Sequence, residues 1–138
     1  MPVTFSYADR TLNLPAKTKL KAFIASLFTL EGKSVHSLNY VFCSDEFLLD
    51  INKRFLQHDY YTDIITFDNS EEDGKLEGDI YVSIDRVKEN ADHIGVSFDI
   101  ELRRVLVHGL LHLIGFGDSD EDLKQQMRTK EDECLLLY

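Results

Sequence analysis

Apolar and polar positions divide the chain into strand-like and helix-like segments. Four segments are rich in β-branched and aromatic residues or alternate in polarity, and they predict strands at Val3–Tyr7, Ser37–Cys43, Thr62–Asp68 and Gly78–Ile84. The polar segment between the last two contains a turn dipeptide, Asp73-Gly74. These two strands are therefore expected to be antiparallel neighbours.

The remaining periodic segments predict helices. The first two are expected from Pro15 to about Leu30 and from a cap at Ser44 to about Phe55. The third is expected from a cap at Ser83 or Asp85 to about Gly95, the fourth from Ser97 past His112, and the fifth from about Ser119 to Leu135. The order β-α-β-α-β-β-α-α-α predicts an α+β fold in which about five helices cover a four-stranded mixed sheet. The fourth helix is expected to be buried against that sheet.

Length and composition limit the classes of protein that need to be considered. A chain of 138 residues fits a single domain, 1–138, and has enough apolar residues for a sizeable core. It has no apolar run of the about 20 residues that span a bilayer, so a membrane protein is not expected. Cys43 and Cys134 form no CxxC pair and predict reduced thiols in a cytoplasmic protein.

The formal net charge of −10 opposes binding to nucleic acid, because phosphate neutralisation normally supplies most non-specific affinity. The positive charges are nevertheless clustered. Several lie on the first two helices, and others, including Arg86, Arg103 and Arg104, lie near the fourth helix. A local basic groove and a solvated surface of mixed charge are both compatible with this pattern.

The segment from His108 to Asp118 carries the clearest chemical signal. His108 and His112 are four residues apart, so they lie on one face of a helix, one turn from each other. Gly115 can end that helix in a left-handed turn, after which Asp118 can return to the histidines as a third ligand. The segment therefore predicts a metal site with His108, His112 and Asp118 as ligands. Alternatively, the histidines are hydrogen-bonded core residues and Asp118 caps the next helix.

This spacing of ligands is that of the metzincin proteases, and the histidine helix is metzincin-like. Those enzymes carry a glutamate directly after the first histidine, and it acts as the general base. Here the position is occupied by Gly109, which cannot transfer a proton. The pattern therefore predicts a metal site without the base of a peptidase.

Three stretches together resemble the YbeY family, the bacterial rRNA maturation endoribonucleases. The family patterns are Asn-x-x-Tyr-Arg…Asp-x-x-Thr-Asp-Val-Leu-Ser-Phe, Gly-Asp-Ile, and His-Gly-x-Leu-His-Leu-x-Gly-Tyr. The matching stretches, in the right order over roughly residues 40 to 135, are Asn52–Phe55 with Asp59 and Thr62–Phe67, Gly78–Ile80, and His108–Phe116.

Two positions differ from the family pattern. Asp118 stands where members usually carry a third metal-binding histidine, and zinc accepts either residue. Leu56 stands at the arginine often assigned a role in RNA cleavage. His58 and Arg54 are nearby and are candidate replacements. Equally, His58 can simply bond a neighbouring carbonyl, and Arg54 can be a solvated helix residue.

The resemblance implies a zinc-dependent endoribonuclease of 16S rRNA 3′-end maturation and ribosome quality control. Its implied partners are the rRNA of the maturing small ribosomal subunit, a small-subunit ribosomal protein and an Era-type GTPase. The candidate catalytic residue is His58. The acidic charge and the missing arginine favour an alternative, a non-catalytic ribosome-assembly module stabilised by its metal. A metallopeptidase is disfavoured by Gly109.

Overall fold

The computed structural model describes residues 2–14, 16–71 and 75–138. Within these ranges the chain forms a four-stranded sheet and five helices, which confirms the predicted α+β fold. In chain order, the elements are β1 (Val3–Tyr7), α1 (Lys17–Leu30), β2 (Ser34–Cys43), α2 (Asp45–Leu56), β3 (Ile64–Asp68), β4 (Lys75–Ser83), α3 (Ile84–Ile94), α4 (Phe98–Ile114) and α5 (Glu121–Leu135).

The sheet is mixed, as predicted, with the strand order β1-β2-β4-β3. Strands β1, β2 and β4 are parallel, while β3 pairs with β4 in antiparallel fashion, which confirms the expected neighbours. Strand β3 therefore forms one edge of the sheet. This edge lies beside α4, the helix that carries both histidines.

The two faces of the sheet contribute to two apolar clusters, because successive side chains of a strand point to opposite faces. The larger cluster includes Tyr40 and Ile80 from the central strands together with residues of α1, α3, α4 and α5. The smaller cluster lies under α2 and includes Cys43 and Ile65. Both cysteines of the chain, Cys43 and Cys134, are free and buried.

Helix α4 is held closely against the sheet. Tyr40 on β2 is fully buried, and its hydroxyl donates a hydrogen bond of 2.9 Å to the carbonyl oxygen of Leu106 in the helix. At Gly109, an added Cβ atom would lie 2.7 Å from Cδ1 of Ile64 and 3.1 Å from Cγ2 of Ile80. The expected burial of the histidine helix against the sheet is therefore correct, and a glycine permits the close approach.

The helix starts follow the predicted polar caps, with small shifts in the bounds. Ser44, Ser83 and Ser97 each accept a hydrogen bond from a backbone N–H in the first turn of their helices. Of the two candidates for α3, the cap is thus Ser83. The last helix begins at Glu121, since Asp120 rather than Ser119 provides its cap.

Strand bounds differ more from prediction, because pairing rather than composition determines where strands begin. Strand β4 starts three residues before Gly78, because Lys75 and Leu76 pair with Ser34 and Val35 of β2. The predicted helix start at Pro15 and the turn at Asp73-Gly74 lie outside the described residues. In the described ranges, no helix combines the length and the apolarity needed to cross a membrane.

Gly78 of β4 permits a second close approach, and its replacement tests the packing of α4. An added Cβ atom would lie 2.9 Å from the backbone oxygen of Phe67 on β3 and 3.1 Å from Leu113 on α4. We expect Gly78→Ala to lower the free energy of unfolding by about 1–3 kcal/mol, because a backbone oxygen cannot move aside cheaply. Urea denaturation measures this.

Gly117→Ala is the matched control, because the added Cβ atom there would make only an ordinary contact of 3.7 Å with Leu123. This control should change stability by less than about 0.5 kcal/mol. Equal losses in the two variants would contradict the assignment of Gly78 to a tightly packed position.

Candidate metal centre and cleft

Two elements bring the three predicted ligands together. His108 and His112 project from one face of α4, and their Nε2 atoms lie 3.0 Å apart. The helix ends at Ile114, and Gly115 has a φ of 121°, so the chain turns back as predicted. Asp118 Oδ2 then lies 3.5 Å from Nε2 of His108 and 3.4 Å from Nε2 of His112.

The two distances to Asp118 suit a single tetrahedral metal ion, while the 3.0 Å between the two Nε2 atoms is shorter than the usual spacing of two such ligands. Nitrogen and oxygen ligands about 2.0–2.2 Å from zinc, at tetrahedral angles, lie roughly 3.3–3.6 Å from each other. One ligand atom from each of His108, His112 and Asp118 lies within 4.8 Å of the others, and these residues could hold a metal ion. Three protein ligands leave a fourth position open, as in catalytic rather than structural zinc sites.

Glu131 determines which nitrogen of His108 faces the other ligands. Its Oε2 lies 2.7 Å from Nδ1 of His108, and its Oε1 accepts a hydrogen bond of 3.0 Å from Arg104. Because a carboxylate only accepts, the Nδ1 atom carries the proton and Nε2 presents its lone pair to Asp118 and His112. Arg104 also donates to Asp132 at 2.8 Å, so the guanidinium that binds Glu131 is itself held in place.

Burial and charge act against each other at this centre. Burial lowers the pKa of His108, but the hydrogen bond and charge of Glu131, with the charges of Asp63 and Asp118, outweigh burial and raise that pKa above its usual value. Burial raises the pKa of Asp63, although the nearby His108 partly opposes this. Acceptor groups therefore crowd the centre, and a bound cation would satisfy them.

A cleft of about 430 Å³ opens beside the centre. The cleft is lined by His112 and Asp118, by Leu56 at the end of α2, and by His58 and Tyr60 of the segment between α2 and β3. The structure thus places the candidate catalytic residue, His58, in the same cleft as two candidate ligands. Nδ1 of His58 lies 3.0 Å from the hydroxyl of Tyr60.

The structure separates Arg54 from this cleft. Its guanidinium pairs with Asp50 at 3.0 Å, and its side chain lines a different pocket, between α2 and the other face of the sheet. Arg86 pairs with Asp45 at 2.9 Å. Arg104, Lys124 and Arg128 line a second pocket together with His108 and Asp118, so a local basic groove and a surface of mixed charge both stay open.

Comparison with known proteins supplies the family. The family model "Endoribonuclease YbeY" matches residues 6–138. The chain belongs to the YbeY family. Its relatives include the Endoribonuclease YbeY of Cytophaga hutchinsonii, which is 50% identical over 98% of this chain and 94% of its own, and that of Flavobacterium psychrophilum, 43% identical over 99% and 96%.

A solved structure shares this fold. The solution structure of TM1509 from Thermotoga maritima matches with a TM-score of 0.62 and 27% sequence identity, over 96% of this chain and 88% of that one. The family match takes in His108, His112, Asp118 and Glu131. The resemblance inferred from the sequence motifs is thus confirmed.

Sequence reasoning missed two residues of this YbeY-family centre, Glu131 and Tyr60. A signal for Glu131 was present, because it lies on the buried side of α5 with Met127 and Cys134, at helical spacing. A carboxylate among apolar residues on a helix requires a partner. Tyr60 lies in an irregular segment, where no periodic pattern indicates the direction of a side chain.

The hydrogen bond between Glu131 and His108 can be tested without a metal. In the metal-free YbeY-family protein at alkaline pH, long-range nitrogen–proton NMR correlations should place the His108 proton on Nδ1. A hydrogen bond to a charged group is worth about 1.5–3 kcal/mol, enough for roughly a tenfold preference or more. Glu131→Ala should shift the proton towards Nε2.

Asp132→Ala is the control, since it removes a partner of Arg104 but leaves the contact between Glu131 and His108. A proton that stays on Nδ1 in Glu131→Ala would show that another group orients the ring.

Proposed function

We propose that this protein is a metal-dependent endoribonuclease that acts in 16S rRNA 3′-end maturation and ribosome quality control. The observation that carries the proposal is the convergence of His108, His112 and Asp118 beside an open cleft, in a member of the YbeY family. The relatives named above carry the name Endoribonuclease YbeY. The substrate would be single-stranded RNA entering the cleft.

Zinc is the metal we propose, at one ion per chain. Two imidazole ligands favour zinc over magnesium or calcium, which prefer oxygen ligands. The carboxylate of Asp118 completes a set that zinc accepts. The Nδ1 contact of His108 with Glu131 is the outer partner that zinc-binding histidines commonly have.

Each residue of the centre has a distinct proposed role in phosphodiester hydrolysis. When bound, zinc supplies a Lewis acid that allows water to act as a nucleophile near neutral pH. His108, His112 and Asp118 hold the ion, and Glu131 keeps His108 in the ligating tautomer. His58 donates from Nε2 to a phosphate oxygen, while its Nδ1 accepts from the Tyr60 hydroxyl.

His58 is the proposed catalytic residue because it lines the cleft and can donate a hydrogen bond where the cleft has no cationic side chain among its described lining residues. Among the described residues that line it, there is no lysine or arginine. Leu56, at the family's arginine position, contributes an apolar side chain that is about two-fifths exposed. Chemistry that an arginine would assist therefore depends on His58 and on the metal.

A non-catalytic ribosome-assembly module is the second candidate. The net charge of −10 and the leucine at position 56 favour this candidate, since both make binding of RNA phosphates less favourable. In that case the ion would stabilise the fold without turning over substrate. A peptidase has little support, because the Gly109 position faces Ile64 and Ile80 and leaves no room for a glutamate.

We also propose partners and a cellular location. These are the rRNA of the maturing small subunit, a small-subunit ribosomal protein and an Era-type GTPase, all in the cytoplasm. The support is membership of the family, together with two free, buried thiols that suit a reducing compartment.

Metal content tests the ligand set directly. Purified wild-type protein should contain about one zinc per chain by elemental analysis, and His108→Ala should contain almost none, because removal of one of three protein ligands strongly weakens such a site. His36→Ala is the matched control, since His36 is exposed and pairs with Glu77. Equal zinc in wild type and His108→Ala would remove His108 from the ligand set.

Metal removal separates the two functional candidates. After chelation, cleavage of a single-stranded RNA should fall to background and should return when zinc is added. The far-UV circular dichroism should change little, because the buried clusters do not include the ligands. Loss of the folded signal, with no cleavage even in zinc-loaded protein, would favour the assembly module.

A further inference from the structure

We propose that Tyr60, stacked beside His58, forms a binding subsite for an unpaired nucleobase in the cleft next to the candidate metal centre. This inference rests on the proposed function and specifies how the RNA is held. In this subsite, most of the binding free energy comes from contact with the face of a base, and little comes from contacts with phosphates.

The first observation is an exposed aromatic surface inside the cleft. The rings of His58 and Tyr60 are nearly parallel, with an interplanar angle of 21° and centroids 5.1 Å apart. Tyr60 remains 54% exposed, although it lines the same cleft as His112 and Asp118. A nucleobase that stacks on this ring would cover apolar surface that is now in water.

The second observation is that the surface is held in place before any ligand binds. Asn52, which is 1% exposed, donates from Nδ2 to the carbonyl oxygen of Tyr60 at 2.9 Å. The backbone carbonyl oxygen of Asn52 accepts a hydrogen bond of 3.1 Å from the backbone N–H of His58. The Tyr60 hydroxyl then bonds the His58 ring. A rigid surface loses little entropy on binding, so stacking on it is more favourable.

The third observation concerns charge. Among the described residues that line the cleft there is no lysine or arginine, and Asp68 and Asp118 add negative charge. The net charge of the chain is −10. The side chains that line the cleft therefore offer little attraction to phosphates, and base stacking, which needs no positive charge, is an interaction that the cleft provides.

The geometry also implies a preference for unpaired substrate. A base in a duplex has both faces covered by its neighbours, so it cannot lie on Tyr60 without leaving the stack. The subsite therefore favours single strands, independently of the metal.

Fluorescence of a single-stranded oligoribonucleotide that contains 2-aminopurine tests this subsite, because stacking on an aromatic ring quenches that base. The zinc-loaded full-length protein is used, and the fluorescence is read at times short compared with cleavage, which gels of the same samples verify. Wild type should quench the signal. Tyr60→Ala and Tyr60→Leu should lose the quenching and weaken binding roughly 5- to 100-fold, while Tyr60→Phe should stay within about threefold of wild type.

Tyr61→Ala is the matched control. Tyr61 is 46% exposed, but its hydroxyl donates to Glu46 at 2.6 Å and its ring lies 5.3 Å from the guanidinium of Arg86, not in the cleft. The Tyr61→Ala variant should quench the 2-aminopurine fluorescence and bind the oligoribonucleotide as the wild type does. The fold of each variant is checked by circular dichroism, and Tyr60→Leu keeps the bulk of the side chain if Tyr60→Ala is unstable.

Kinetics and salt dependence add independent readouts. Tyr60→Ala should raise KM for RNA cleavage well above the KM of Tyr60→Phe, because both variants lose the hydroxyl that bonds His58 but only Tyr60→Ala loses the stacking ring. The affinity of the wild type for RNA should fall only slightly as the salt concentration rises. The slope of log affinity against log salt concentration should be smaller than that expected for about two phosphate contacts. A steep salt dependence, or unchanged quenching and KM in Tyr60→Ala, would overturn the subsite.

The outcomes also separate the two proposals. If zinc-loaded wild type cleaves RNA but Tyr60→Ala matches it in quenching and KM, only the stacking subsite is wrong. If wild type neither binds nor cleaves single-stranded RNA, both proposals are wrong. If wild type binds with Tyr60-dependent quenching but does not cleave, the subsite stands and the endoribonuclease proposal fails.

Discussion

The close packing of α4 against strands β3 and β4 is the constraint on which the arrangement of the centre depends. Gly109 and Gly78 remove two side chains at the contact, so the helix can approach strands that a Cβ atom would keep away. Because β3 is the edge strand, this approach brings the histidine face of α4 next to the segment that enters β3. The cleft is the space between them. Its shape therefore follows from backbone packing rather than from the side chains that line it.

Around this contact, charged groups are arranged in pairs that leave acceptors facing one point. Arg104 neutralises part of Glu131 and Asp132, and Glu131 in turn holds Nδ1 of His108. Nε2 of both histidines and the carboxylate of Asp118 then lie within 3.5 Å of one another. Groups of this kind repel each other without a cation between them, which is a physical reason to expect a metal there.

The protein is acidic, but net charge is not the only property that determines whether a protein binds RNA. Affinity for a nucleic acid need not come from phosphates, since stacking acts at short range and through neutral surface. Leu56 and the stacked Tyr60–His58 pair lie in the same cleft. A stacking surface and a lining that, among the described residues, has no lysine or arginine are thus found together.

The sequence by itself determined the local parts of this picture. Helical periodicity placed His108 and His112 on one face, Gly115 predicted the turn that returns Asp118, and the motif order identified the family. Only the tertiary structure decided the strand order, the contact between Glu131 and His108, and the presence of Tyr60 in the cleft. The reason is that periodicity and turn chemistry act over a few residues. Contacts between distant segments depend instead on how whole elements pack, and an irregular segment has no period from which its side-chain directions could be predicted.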